Sequence, residues 1–336
     1  MNSTDPSLDT DTREMTFADA AGGGRLRRTL LPLLGELRGL DYDFLAPTPA
    51  SQARVLARPD RQVGATVADL LGWSLPCRED RLPPAIVAAL DGAELLEPRP
   101  DGLVASKVRV SNVFGKLFVH SRYPTQEHDS VFLGPDSYRF ADFISRNLAG
   151  VRSPARILDY AAGAGVGGIV AATLHGNADL TLADINPKAL ALASVNASFA
   201  GVEHQTTIAR SPADVAGDYD VIVTHPPFMI DPDRRAYRDG GDLYGGKLSL
   251  DWTLAGIEKL APGGRFIMHT GVSIVGGRDV VRDALDAAMP ATGYRYDYRV
   301  LDPDIFGDEL DTEPYAEVDR IAAIGLCVTR DPVSNG

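Results

Sequence analysis

Asp159-Tyr160-Ala161-Ala162-Gly163-Ala164-Gly165-Val166-Gly167-Gly168 is the stretch whose reading decides the fold. An apolar run, Ala155 to Asp159, precedes it, and a helix-spaced run from Gly167 to Leu174 follows. Gly163, Gly165 and Gly168 make the pattern G-x-G-x-x-G between a strand and a helix. Glycine tolerates positive φ and close backbone approach, so such a turn is tight and open to a ligand. Asp184 closes the next apolar segment, 184 − 163 = 21 residues past the first glycine, the spacing of a ribose-binding carboxylate.

Outward from this turn the pattern alternates. Strands are expected at Ala155 to Asp159, Leu180 to Ala183, Gln205 to Ala209, Tyr219 to Val223, Arg265 to His269, Tyr294 to Val300 and Asp319 to Val328. Helices are expected at Tyr138 to Asn147, Gly167 to Leu174, Pro187 to Phe199, Ser249 to Leu260 and Arg278 to Ala288. Alternation of this kind predicts an α/β fold: a doubly wound, mostly parallel, seven-stranded sheet covered on both faces.

Residues 25–123 read differently. Leu26, Leu30, Leu33, Leu34 and Leu37 recur at helical spacing, and further helices are expected over Val63 to Leu71 and Pro83 to Leu90. Short strands follow around Leu103-Val104, Val108 to Val113 and Leu117 to His120, with Pro100-Asp101-Gly102 as a turn. This predicts a small α+β, winged-helix-like domain, serving as a cap on the substrate side or as a homodimer surface. Residues 1–24 and 331–336 read as tails, and 124–330 as the main domain.

Composition limits the function classes. The net charge is −13 over 336 residues, with no long basic run. Tight nucleic-acid binding draws on Lys and Arg neutralising phosphates, so the sequence favours a small, cationic substrate over a polyanion. The acidic, polar N-terminus lacks the features of a signal peptide, and no apolar run suits a membrane span, so a cytoplasmic location is expected. Cys77 and Cys327 lie in apolar surroundings and read as buried thiols; no metal site is expected.

NAD and S-adenosylmethionine (SAM) both fit the glycine turn. A carboxylate at Asp159 would repel the pyrophosphate of NAD but suits the ammonium and sulfonium of SAM. At this point residues 124–330 resemble the class I SAM-dependent methyltransferases, with Asp159 to Gly167 as the first motif and Asp184 as the acid of the second strand. His225-Pro226-Pro227-Phe228 resembles the [N/D/S]-P-P-[Y/F] motif of the branch that methylates amino or amide nitrogens, including the release-factor glutamine methyltransferases. Asp184-Ile185-Asn186-Pro187 and Val131-Phe132-Leu133-Gly134-Pro135-Asp136-Ser137 are similar to further segments of that branch. The resemblance implies SAM as cofactor, met by Asp159, Gly163, Gly165, Asp184, Ile185 and His225, with Ser211 replacing an acid usual on the third strand. It also implies an acceptor held by Pro226, Pro227 and Phe228.

His225 departs from the motif. A neutral imidazole can accept a hydrogen bond or a proton, whereas Asn cannot act as a base; the side chain either orients the nucleophile or only shapes the loop. Downstream, Asp242 and Asp251 are partly similar to the paired glutamates of arginine methyltransferases, and such a pair would grip a guanidinium. The alternatives are a solvated loop and a helix N-terminal charge. Tyr244 and Trp252 are candidate pocket aromatics or core residues, and the acidic loop Phe306 to Asp311 either reaches over the substrate or lies in solvent. The expectation is a SAM-dependent N-methyltransferase acting on a planar nitrogen of a small molecule or amino acid, with a guanidino group favoured. Glutamine or RNA-base methylation, O-methylation with His225 as base, and a non-catalytic SAM-binding module remain as alternatives.

Overall fold

The computed structural model describes residues 21–332. Helix α1 (Ala21–Gly39) buries Leu30, Leu33, Leu34 and Leu37 completely. It includes Gly22-Gly23-Gly24, which the sequence assigned to the tail: once the leucine stripe nucleates the helix, adding a turn upstream costs little. Residues 1–20 and 333–336 of the expected tails lie outside the described residues.

Helix α2 (Pro49–Leu56) was not expected. Its one buried side chain is Gln52, so it shows no apolar period; Thr48 caps it, accepting from Ser51 N at 3.2 Å. α3 (Val67–Leu71) starts later than expected because Thr66 and Asp69 form a capping box there. β1 (Cys77–Arg78), α4 (Pro84–Gly92), β2 (Leu96–Arg99) and β3 (Leu103–Ser106) follow, the three strands pairing in the order β1-β3-β2. The turn between β2 and β3 carries Asp101 and Gly102 at φ of 60° and 69°. A hairpin of β4 (Val108–Val113) and β5 (Lys116–Ser121) completes this region, and α5 (Pro135–Asn147) leads out of it.

The main sheet begins with β6 (Ala155–Tyr160), α6 (Val166–His175), β7 (Ala178–Asp184), α7 (Pro187–Ala200) and β8 (His204–Ile208). It continues with β9 (Tyr219–Thr224), α8 (Lys247–Glu258), β10 (Leu260–Val275), the two-residue β11 (Arg278–Asp279), α9 (Val280–Ala288), β12 (Tyr294–Ile305) and β13 (Arg320–Arg330). Seven strands lie in the order β12-β13-β10-β9-β6-β7-β8, with β11 on the far end of β10. β6 through β10 run parallel to one another, and β13 runs antiparallel between β10 and β12. This is the class I methyltransferase fold. Pro262-Gly263-Gly264 makes a register irregularity inside β10, which continues to Val275.

From β6 the chain first builds outward through β7 and β8, then returns to add β9 on the other side of β6. In such sheets the reversal leaves a crevice at the carboxyl ends of the two central strands. Thr224 Oγ1 donates to Tyr160 O at 2.8 Å and ties those ends together.

The N-terminal elements share one hydrophobic core with this sheet, running from Leu30 and Phe118 to Ile169 and Leu190. Asn196, 1% exposed on α7, makes the polar link. Its Oδ1 accepts from Val119 N at 2.9 Å, and its Nδ2 donates to Val119 O and Ala164 O. One amide thus joins β5, α7 and the glycine turn. Among the described residues no helix is long and apolar enough to cross a membrane.

Candidate cofactor and acceptor site

A cavity of about 980 Å³ opens at the carboxyl ends of β6, β7 and β9. The three glycines of the turn have different tasks. Gly163 has φ +54°, and a side chain there would meet nothing nearer than 4.0 Å, so its face is open to the cavity. Gly165, at φ +81°, caps α6, and an added Cβ would come 2.9 Å from Ile169 Cδ1 and 3.1 Å from Ala193 Cβ. Gly168 is a packing glycine: a Cβ would lie 2.6 Å from Leu180 Cδ1 and 2.7 Å from Asp159 Cβ.

Asp159 is 1% exposed, and its Oδ2 accepts from Gly168 N at 2.7 Å, pinning α6 to the end of β6. Burial drives its carboxyl well above the usual range despite that bond, and the nearby Asp184 charge adds to the rise. Asp184 accepts from Gly163 N at 2.9 Å and Asn186 N at 2.8 Å, so it shapes the turn from the neighbouring strand. Burial raises its pKa as well, with these bonds opposing. Ile185, 52% exposed, presents an apolar face to the cavity.

Ser211 does not line the cavity. It is locked in a capping box, its Oγ accepting from Ala213 N at 3.2 Å and its N–H donating to Asp214 Oδ2 at 2.9 Å. The neighbouring Arg210 borders the cavity instead.

At the end of β9, His225, Pro226, Pro227 and Phe228 all line the cavity. His225 stacks on His269 of β10, with ring centroids 4.7 Å apart and planes 17° from parallel. Their Nδ1 atoms share one hydrogen bond at 3.0 Å. Burial lowers the His225 pKa to about 4. His269 is pushed well below 6.5 by burial, with the His225 and Arg139 charges adding, and its Nε2 is buried without a partner. A bare ring nitrogen is easier to leave unpaired than an N–H. The favoured arrangement therefore has His269 Nδ1–H donating to His225 Nδ1, which leaves the His225 proton on Nε2. Phe228 packs edge-on against His225 at 5.8 Å and Phe306 at 5.7 Å.

Trp252 lines the cavity and meets Tyr160 edge-on at 4.7 Å. Tyr244 does not line it; its hydroxyl donates to Glu317 Oε2 at 2.8 Å. The carboxylate pair expected for a guanidinium is not assembled at the cavity either. Asp251 is bound by Lys247 one turn earlier on α8, and Asp242 is exposed on the preceding turn. Leu248 and Trp252 of the same helix border the cavity, whereas Asp251 is held by Lys247.

The acidic loop contributes Phe306, Asp308 and Glu309 to the cavity, and Glu309 pairs with Arg238 at 2.6 Å. Arg109 and His120, from the N-terminal hairpin, also border the cavity. Alternation with Val108 and Val110 would send Arg109 to solvent; here that face of the hairpin is covered.

Residues 140–237 match the family described as Methyltransferase small domain. Among curated proteins, the ribosomal RNA small subunit methyltransferase C of Serratia proteamaculans is 27% identical over 143 residues, covering 37% of this chain and 41% of that protein. The release factor glutamine methyltransferase of Deinococcus radiodurans is 25% identical over 175 residues, covering 49% of this chain and 63% of that protein. The chain thus spans between two fifths and two thirds of the length of these relatives. Among solved structures, Trm5b of Pyrococcus abyssi is 13% identical with a TM-score of 0.44, covering 70% of this chain and 62% of the other. Residues 140–237, from α5 through the loop after β9, are similar to the methyltransferase small domain and lie within a class I methyltransferase fold.

Proposed function

We propose that this protein is a SAM-dependent methyltransferase that transfers a methyl group to a planar nitrogen held at His225-Pro226-Pro227-Phe228. One observation carries the reading: a single cavity joins the open face of Gly163, with Asp159 and Asp184 beside it, to His225 and Phe228. The residues fit the cofactor. Gly163 offers backbone without a side chain, Asp184 and Asp159 offer carboxylates, and Ile185 an apolar face.

When bound, SAM supplies an electrophilic methyl group on a sulfonium. The task left to the chain is to hold the acceptor nitrogen in line with it, since transfer depends on distance and angle. Pro226 and Pro227 have no N–H, so the loop's carbonyls stay available as acceptors. Phe228 offers an edge or face to a planar group.

His225 separates nitrogen from oxygen acceptors. With a pKa near 4 it is neutral at pH 7 and does not repel a sulfonium. It is also a poor base. A hydroxyl acceptor must lose its proton to become a strong nucleophile, whereas a neutral nitrogen can take the methyl group first and release its proton to solvent afterwards. His225 therefore serves as a hydrogen-bonding and stacking surface, which favours a nitrogen acceptor over O-methylation.

An arginine side chain loses its sequence rationale, because Asp242 and Asp251 are not at the cavity. The two curated relatives are named for ribosomal RNA and for a release-factor glutamine. Their names return nucleic acid to the candidate acceptors, against the expectation from net charge. The test is methyl transfer from labelled SAM to heteroaromatic amines, a glutamine-containing release-factor peptide, ribosomal RNA and free arginine. Product carrying an N-methyl group is expected; an O-methyl product, or no binding of S-adenosylhomocysteine, overturns the proposal.

A further inference from the structure

Arg109 on β4 is 5% exposed, yet among the described residues no carboxylate lies within 4.0 Å of it. Its Nε donates to Gly72 O at 2.8 Å and its Nη2 to Gln52 Oε1 at 3.3 Å. The guanidinium lies 5.5 Å from the Phe44 ring. The titratable groups facing it are the hydroxyls of Tyr42, Tyr123 and Tyr138, and the buried imidazole of His120. Tyr42 donates to Val110 O, and Tyr138 accepts from Ala46 N. Burial and the Arg109 charge keep His120 neutral, and its Nε2 shares a hydrogen bond with Ser111 Oγ at 2.9 Å.

A buried cation surrounded only by neutral dipoles is costly, and such groups are normally paired. Burial lowers the Arg109 pKa to about 10, so it stays charged at neutral pH. Nη1 has no hydrogen-bond partner among the described residues, so part of the guanidinium fork is free. Arg109 borders the same cavity as Gly163 and His225. Of the other arginines on that cavity, Arg139, Arg235 and Arg238 each have a carboxylate, and Arg210 and Arg234 are exposed to solvent. A volume near 980 Å³ is at the upper end for a small-molecule site and leaves room for an acceptor beside a nucleoside cofactor.

We propose that Arg109 binds an oxyanion of the methyl acceptor, a carboxylate or a phosphate, and so anchors the end of the acceptor remote from the reacting nitrogen. This rests on the methyltransferase reading above. A guanidinium binds either oxyanion through paired, charge-assisted hydrogen bonds, which a neutral amide or hydroxyl cannot match.

The test uses the full chain saturated with S-adenosylhomocysteine, titrated calorimetrically with matched pairs. One arm sets benzoate, indole-3-carboxylate and imidazole-4-carboxylate against their amides. The other sets cytidine and guanosine 5′-monophosphates against their nucleosides. At least one arm is expected to favour the oxyanion by about tenfold or more, and the arm that does so identifies its source. In Arg109→Gln the preference should vanish while S-adenosylhomocysteine affinity stays unchanged. Gln52→Glu keeps the guanidinium but supplies an internal carboxylate, and should abolish the preference too even if Arg109→Gln does not fold. Equal binding within every pair by the wild type, or a preference that survives in either folded variant, overturns the proposal. Failure of the wild type to bind S-adenosylhomocysteine would instead overturn the methyltransferase reading.

Discussion

Replacing His225 with Gln should flatten one part of the protein's pH–stability curve. His225 has a pKa of about 4 in the folded chain against 6.5 ordinarily, because burial penalises its charged form. The unfolded chain therefore binds a proton that the folded chain refuses, and stability falls as pH drops from about 6.5 toward 4. At about 1.4 kcal/mol per tenfold, the full loss is roughly 3 kcal/mol near pH 4, and about 2 kcal/mol of it is present by pH 5. Asp136, whose carboxyl burial raises to about 6, acts oppositely, as do Asp159 and Asp184. The wild-type curve alone therefore mixes signs, and the informative quantity is the difference between wild type and His225→Gln. Urea unfolding at pH 7, 6 and 5 reads it without any acceptor. Between pH 7 and pH 5 the wild type should lose about 2 kcal/mol more than the variant. Parallel curves would refute the part-buried, neutral histidine on which the nitrogen preference depends.

Three other substitutions probe separate parts of the site. Gly168→Ala forces a methyl group against Leu180 and the Asp159 anchor; overpacking of this kind costs about 1–3 kcal/mol, visible in the urea midpoint. Asp184→Asn turns an NH₂ toward either the Gly163 or the Asn186 N–H, and losing one charge-assisted bond of roughly 1.5–3 kcal/mol should weaken S-adenosylhomocysteine binding by about tenfold or more in calorimetry. Gly271→Ala places a Cβ 2.2 Å from Phe228 Cδ2, so it should displace that ring and slow methyl transfer while leaving S-adenosylhomocysteine affinity intact.

The parallel sheet was readable because β6, β7 and β9 are short, largely apolar runs, and because Gly163, Gly165 and Asp184 have no common use outside such a crossover. The site was readable only where the residue type dictates the backbone. Asp242 and Asp251 matched a spacing, but spacing along a chain does not fix direction: Asp251 points to Lys247, and its helix neighbours Leu248 and Trp252 face the cavity. Arg109 was opaque for a related reason: a charged residue between valines reads as solvent-facing until the elements packed over it are known. α2 was missed because its buried side chain is a glutamine, which leaves no apolar period to detect.

In the proposed function the acceptor is methylated where the open face of Gly163 and the His225-Pro226-Pro227-Phe228 loop share one cavity. A crystal structure of the complex with S-adenosylhomocysteine is the decisive test. Ribose hydroxyls are expected at Asp184, the amino-acid end over Gly163, and the sulfur directed at His225 and Phe228. A ligand bound elsewhere, or one in this cavity with its sulfur turned away from His225, would contradict it.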